Sequence, residues 1–359
     1  MLLTPDTSSL TAAPDLHCHL VIAALIPPAD AAEEFLAGAQ APALARLIAR
    51  AGTMQSIADG YEAWWCTRHR VARQNDWPLA PITFAADGGA PGNAFWLRAD
   101  PVHLQVNRDQ LVLADSSQFA IDAKEARELV AALNAHFGRD GLIFHAPHPT
   151  RWYLRLPAAA DLRCTSLANA AGKSIDPLLP AGADAGRFRS LCNEAQMLLF
   201  SHPVNQAREM IGELPVNSIW LWGGGIMPLL QLSQAPPAST LWTSDPIARA
   251  FGLTHPCIEL PADAPEWLSQ TRGSHDHLIA IDALRTPYQY GNAAAWQERL
   301  AAIDRDWIAP LIIALQAGRI ERLRMTAFGN GKGFSATVMR RDLWKFWRGT
   351  GSVASVLTP

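Results

Sequence analysis

Apolar residues along this chain follow two spacings, and their alternation is the first guide to its architecture. The stretch Leu16 to Ile26 is unbroken in its apolar character from Leu20 onward and stops at Pro27-Pro28. That is the pattern of a buried strand ended by residues that cannot extend a ladder. From Ala29 to Arg73 the spacing turns helical, as at Leu44, Leu47 and Ile48, and predicts two or three Ala-rich helices. Pro78, Pro81, Gly88, Gly89, Pro91 and Gly92 crowd the stretch from Asp76 to Asn93, which reads as a connection.

A second texture begins at Phe95. Phe95 to Val106 and Leu111 to Leu113 read as strands around the polar turn Asn107-Arg108-Asp109. Ala126, Leu129, Val130 and Leu133 share one face of a helix from about Asp122 to Phe137. Leu142 to His145 and Trp152 to Leu156 are spaced as a hairpin, Asp161 to Arg187 is irregular, and a long helix runs from Phe188 to His202 until Pro203. After Leu214-Pro215 the first texture returns. Strands are expected at Ser218 to Trp222, Ser239 to Trp242, His277 to Ile281 and Arg322 to Thr326, with helices between them, notably Ala293 to Gln316. Such alternation predicts an α/β fold with a mainly parallel sheet and helices on both faces. No internal repeat is visible.

Composition narrows the class. The chain has 359 residues, 49% of them hydrophobic and 18% charged, enough for a sizeable core in one large domain or two. A net charge of −3 gives no global attraction to nucleic acid. The five cysteines, Cys18, Cys66, Cys164, Cys192 and Cys257, form no CxxC pair and are odd in number, which argues against a disulfide framework or a thiolate zinc site. A reducing, cytoplasmic location is expected. The first apolar run is too short to cross a bilayer and has no preceding Lys or Arg, so neither signal peptide nor membrane anchor is expected.

The most distinctive segment runs from Asn193 to Gly225. A helix leads into His202-Pro203-Val204-Asn205 with Arg208 behind it, and the turn Pro215-Val216-Asn217 opens a strand ending in Trp222-Gly223-Gly224-Gly225. Upstream stand Leu97-Arg98-Ala99-Asp100 and a strand opened by Arg151. In these features the chain resembles the archaeal-type, cofactor-independent phosphoglycerate mutases from Phe95 onward, while the part before Phe95 matches poorly. The wording looks closer still to a bacterial group of RpfE-type regulatory proteins. The resemblance implies an alkaline-phosphatase-like α/β core over residues 1–84 and 218–359, interrupted by an inserted α+β domain over 85–217.

It also implies a site. Arg98 matches the family arginine that holds substrate phosphate, and Arg151 and Arg208 lie in matching contexts, as do Asn217 and Trp222. The family's second arginine is replaced near Pro101. Asp282 ends a late strand, where α/β proteins place ligands. Family chemistry needs two divalent cations on Asp and His and a Ser nucleophile. The place of the first ligand motif reads Leu25-Ile26-Pro27-Pro28. The second reads Leu284 to Asn292, without Asp or His, and the third Thr326-Ala327-Phe328-Gly329-Asn330. Phe, Pro and Gly side chains offer no hard donor. The nucleophile loop has no counterpart, and a sheet core held by apolar burial persists without metals. The resemblance therefore implies no cofactor and a regulatory or ligand-binding pseudoenzyme. Its partner would be a small phosphorylated ligand or a protein, with no nucleic acid and no membrane. The alternatives are an active mutase or related phosphoesterase with rearranged groups, and a metal-dependent hydrolase using His17 and His19.

That last alternative rests on Asp15-Leu16-His17-Cys18-His19, whose alternation puts both imidazoles on one strand face. An ordinary strand-edge pair has the same sequence. His275-Asp276-His277 is either a metal motif or the polar start of a strand. Gly223 to Gly225 is either a phosphate cradle or a close-packed turn. Trp220 and Trp222 share a face that suits a core. Arg340 to Arg348, basic and aromatic, reads as an amphipathic closing helix, or as a contact for a nucleic acid backbone.

Overall fold

A computed structural model describes residues 16–107, 110–229, 240–254, 256–271, 276–329, 331–345 and 351–357. Asp15, Arg108, Asp109, Ser239, His275, Asn330 and residues 346–348 lie outside them, and with them parts of the turn, strand and motif readings above. In chain order the strands are β1 (His17–Ile22), β2 (Thr53–Ile57), β3 (Phe95–Asn107), β4 (Gln110–Ala114), β5 (Ile143–His148) and β6 (Arg151–Leu156). They continue with β7 (Ser218–Ile226), β8 (Thr240–Thr243), β9 (Cys257–Ile258), β10 (Asp276–Ile281), β11 (Arg322–Phe328) and β12 (Gly333–Met339).

A seven-stranded sheet has the order β2-β12-β11-β1-β10-β8-β9. Its five strands from β11 to β9 are parallel, and β12 and β2 add an antiparallel edge. The expected α/β class with a mostly parallel sheet therefore holds, and the sheet is open rather than a closed barrel. The C-terminal halves of β1, β10 and β11 are largely apolar and buried, which suits a sheet covered on both faces. One face carries Cys18, Leu20 and Ile22 under the helices Pro42–Ala49, Ala293–Ile303 and Ala309–Gln316. The other carries Val21, Leu278, Ala280 and Phe328 against Trp65 of the helix Tyr61–Arg68.

A second, antiparallel sheet has the order β4-β3-β6-β5, with β7 also paired to β3. This corrects the expectation for Ser218 to Trp222: the segment is strand, but it belongs to the second sheet, so the sheet boundary falls after Ile226 rather than at 217/218. Within the first quarter of the chain two shorter elements escaped the sequence, as did β9 and β12 later. β2 lies within the stretch read as helices, and the helix Leu79–Ala86 lies within the stretch read as a connection. β2 is a largely exposed edge strand, so no apolar alternation marks it. The helix Leu79–Ala86 is buried nearly all round, which erases amphipathic spacing. The expected closing helix is a short 3-10 turn, Arg340–Trp344.

Gly223 to Gly225 lie inside β7, not in a turn after it. Arg98 pairs with Trp222 and Trp96 with Gly225, so two glycines oppose Leu97 in a β-bulge. Gly223 has a φ of +67°, open to glycine at no steric cost. A Cβ on Gly224 would stand 2.7 Å from Leu97 and one on Gly225 2.6 Å from Pro78. The three residues are glycine because β7 is packed this closely, and no phosphate cradle is needed to explain them.

Candidate functional site

Ligands of open α/β sheets bind beyond the C-terminal strand ends. Here the adjacent strands β11, β1 and β10 bring together the three places where the resemblance calls for metal ligands. Beyond β1 come Ala23, Ala24 and the apolar Leu25 and Ile26; β11 closes on Phe328 and Gly329; beyond β10 lies the helix Arg285–Gln289. The acids at this edge are Asp282, after β10, and Asp245, after β8.

Asp245 is fully buried and accepts a hydrogen bond from the Ile247 N–H at 3.1 Å, capping the helix Pro246–Ala250. Arg285 donates to both its oxygens, at 3.1 and 3.2 Å, and reaches Asp282 at 3.5 Å. The Tyr61 hydroxyl also donates to Asp245, and the Tyr61 ring lies 5.1 Å from the guanidinium carbon. Burial works against the Asp245 charge, but Arg285 and these hydrogen bonds outweigh it and hold its pKa below the usual range. Burial and the neighbouring Asp245 charge push Asp282 upward. A pair of divalent cations needs several free oxygen or imidazole donors. Asp245 and Asp282, the acids that follow these strands, are already held by Arg285, and among the described residues no group of three His, Cys, Asp or Glu could hold a metal ion. The residues present do not fit the family's metal pair.

A cleft opens between this edge and the second sheet. A cavity of about 220 Å³ is lined by Glu62, Asp76, Cys164, Ser166, Trp222 and Gly223 among others. A smaller one of about 50 Å³ beside Arg285 shares Gly60, Glu62, Asn169 and Gly331 with it. Ser166 donates to Glu62 at 3.3 Å. Burial, then the Asp76 charge and the neighbouring Cys192, pushes the Cys164 thiol up to about 12, so it is not a reactive thiolate.

The residues singled out from sequence fall into separate places. Arg98 and Asp100 share a face of β3, and Arg98 donates to Asp100 at 3.0 and 2.6 Å. The Trp222 indole N–H donates to the other Asp100 oxygen at 2.7 Å. Arg98 lies between rings, 4.9 Å from the centroid of Tyr153 and 5.2 Å from that of Trp222. Tyr153 in turn donates to Asp87 at 2.6 Å, and Arg151 clamps Asp87 at 2.8 and 2.7 Å. Arg98, Arg151 and Trp222 thus belong to one network, with each guanidinium matched by its own carboxylate. Arg208 is elsewhere: it holds Glu125 at 2.9 Å and the carbonyls of Ala120 and Leu214 at 2.7 and 2.9 Å. Its three-way bracing of Glu125, Ala120 and Leu214, beside the second sheet, corrects its assignment to a common site. Asn217 is also structural, bonding the N–H and carbonyl of Leu104 at 2.7 and 3.0 Å. His17 and His19 stand at the N-terminal edge of the large sheet, away from the cleft.

Sequence reading missed Tyr61, Asp87, Tyr153, Asp245 and Arg285. A signal existed for Asp245 alone. It follows a strand in Thr243-Ser244-Asp245-Pro246, an N-cap before a proline at the first helical position.

Residues 91–205 match a family model described as 2,3-bisphosphoglycerate-independent phosphoglycerate mutase. A probable 2,3-bisphosphoglycerate-independent phosphoglycerate mutase of Geobacter sulfurreducens is 34% identical over 155 residues, 42% of this chain and 38% of that protein. The 2,3-bisphosphoglycerate-independent phosphoglycerate mutase of Methanosarcina barkeri is 31% identical over 204 residues, 54% of this chain and 50% of its own length. The chain thus spans about half or less of the length of these relatives. Among solved structures, the PH0037 protein of Pyrococcus horikoshii superposes with a TM-score of 0.50 at 13% identity, covering 90% of this chain and 87% of that one. The chain is phosphoglycerate-mutase-like in sequence, and the matched residues 91–205 lie in the second sheet and its helices. The strand-end cluster of Asp245, Asp282 and Arg285 lies outside them. No helix among the described residues is long and apolar enough to cross a membrane.

Proposed function

We propose that this chain is a phosphoglycerate-mutase-like pseudoenzyme, a regulatory or scaffold protein that does not transfer phosphoryl groups. The observation that carries the reading is the Arg285 clamp on Asp245 and Asp282 at the strand ends. A cation pair would activate a hydroxyl and grip phosphoryl oxygens there. A guanidinium neutralises the same carboxylates but has no open coordination position and cannot accept a proton. Among the described residues of the cleft, Ser166 makes only a long hydrogen bond to Glu62 at 3.3 Å, accepts one from the Asn169 amide at 3.0 Å and has no imidazole or amine base bonded to it, and Cys164 is held protonated. Glu62 and Asp76 line that cleft and the Arg285 guanidinium beside it is committed to Asp245 and Asp282, which does not favour a phosphate there. The five free thiols support a reducing, cytoplasmic location.

A coupled phosphoglycerate mutase assay with and without Mn²⁺, run beside elemental analysis of protein purified without chelator, tests this. The expected outcome is no turnover in either condition and well under one equivalent of Mn, Zn or Mg per chain. Turnover that requires Mn²⁺, or two bound equivalents, would overturn the reading.

A further inference from the structure

The N-terminal edge of the large sheet holds a cluster that the cleft does not use. In register, His17 faces Asp276 on β10 and Arg322 on β11, and one row further His19 faces Leu278 and Arg324. Side chains two apart on a strand share a face, so these rows lie side by side under the helix Tyr61–Arg68, which lowers Arg68 onto them. Together His17, His19, Arg68, Asp276, Arg322 and Arg324 line most of a cavity of about 190 Å³.

The two rows differ in charge balance. In the first, His17 Nδ1 lies 2.8 Å from both an Asp276 oxygen and the Arg322 guanidinium, and Glu321 stands 3.4 Å from its other nitrogen. The second row contains no acid. The Arg68 guanidinium carbon rests 5.6 Å from the Trp64 ring centroid, and Arg324 donates weakly to Thr337 at 3.4 Å. Among the described residues neither has a carboxylate within the 4.0 Å of an ion pair, and burial, then the Arg324 charge, lowers the Arg68 pKa against the opposing pull of Asp276. His19 is fixed between them by a 2.8 Å hydrogen bond from its Nε2 to Thr326, whose hydroxyl donates to Ser335 at 3.2 Å. Its Nδ1 is thereby left for another partner.

We propose that this edge is a binding site for a small dianionic oxyanion of the phosphate class, held between Arg68 and Arg324 over the imidazole of His19. Guanidinium pairs suit such an ion because each presents a planar fork of donors, and the recess admits a phosphate or the head of a small phosphomonoester. Burial, then Arg68, Arg324 and Arg322, keep the His19 pKa well below its usual value. A bound dianion opposes the three arginine contributions, so His19 takes up a proton more readily and can donate from Nδ1. At a fixed concentration of the dianion, whose own second proton binds near pH ~6, binding should therefore tighten as pH falls; His17, Cys18, Asp276 and His277 are the other titratable side chains lining the recess, with Arg322 charged beside them. The site is on the opposite edge of the sheet from the cleft and does not rest on the reading given for it.

Inorganic phosphate and glycerol phosphate should each be titrated into the full chain at constant ionic strength, following thermal stability and the His19 imidazole signals. Both should stabilise the protein, since a ligand bound only by the native state does so, and both should raise the His19 pKa; a response to one alone identifies the source as free or esterified phosphate. Arg324→Gln, at an exposed position, should weaken the response roughly tenfold, the worth of one charge-assisted hydrogen bond. Arg68→Gln should do the same, and Arg324→Lys should restore part of it. No response to either anion would overturn the proposal. So would a response that survives both glutamine variants but disappears in Arg285→Lys, which would assign the anion to the cleft.

Discussion

At the scale of single residues, this protein withdraws several carboxylates from water and meets them with arginine or with hydrogen-bond donors. Asp87 shows the consequence most clearly. Burial opposes its charge, but hydrogen bonds from Arg151 and Tyr153 hold its pKa below the usual aspartate range. A folded pKa below the unfolded one adds stability above the unfolded value, and that stability is lost as pH falls through the folded one. Arg151→Met removes the main cause, so it should cost about 2 kcal/mol at neutral pH and flatten the loss of stability below about pH 4. Urea midpoints for both proteins from about pH 7 to about pH 3 check this; parallel curves would refute the assignment. The same matching explains why Arg98 was misleading as an isolated letter. Its side chain is 4% exposed and already satisfied by Asp100, so a phosphate would have to displace a buried carboxylate.

Elements are joined here by side chains that stand in for backbone. Asn205, in the helix Pro203–Met210, is 1% exposed. Its amide donates to the carbonyls of Leu199 and Val216, each at 2.8 Å, and accepts from the Val216 N–H at 2.9 Å. One side chain thus sews the end of the helix Ala185–Phe200 to the turn that launches β7. Asn205→Ala would strand three buried backbone groups, and a loss of about 3 kcal/mol is expected. Denaturant unfolding at constant slope reads it out; a loss below about 1 kcal/mol would mean the turn re-pairs through water or another group. The motif His202-Pro203-Val204-Asn205 was visible in the sequence as part of a family pattern. Its physical reason, a helix start whose asparagine reaches a turn eleven residues on, was not, because that pairing exists only when the chain doubles back.

For the whole molecule, the decisive feature is a core shared by the two sheets. Val102 of β3 and Trp220 and Trp222 of β7 pack in the same buried cluster as Val21 of β1, Trp65 and Phe328. Separating the sheets would expose these residues, at about 25 cal/mol for each Å² of apolar surface returned to water. The two sheets should therefore unfold together. Tryptophan fluorescence and far-ultraviolet circular dichroism should give coincident denaturant transitions. Two resolved transitions would show that the second sheet folds alone, contrary to the shared core.

The sequence by itself determined the alternating α/β texture, the four adjacent strands β11, β1, β10 and β8 of the large sheet and the change of texture at Phe95, which follow from apolar periodicity, a local property; with the resemblance it also showed three motif places without Asp or His. Tertiary structure alone decided that the three motif places meet at adjacent strand ends, that Arg285 reaches Asp245 from forty residues away, and that β7 pairs with β3 rather than with the parallel sheet. The same holds for the recess at the opposite edge. His17, Arg68, Asp276 and Arg322 lie far apart in the chain and become neighbours only through strand register. Periodicity says which face of a strand is buried, but which strands lie side by side depends on the total burial of the folded chain, a quantity no local window contains.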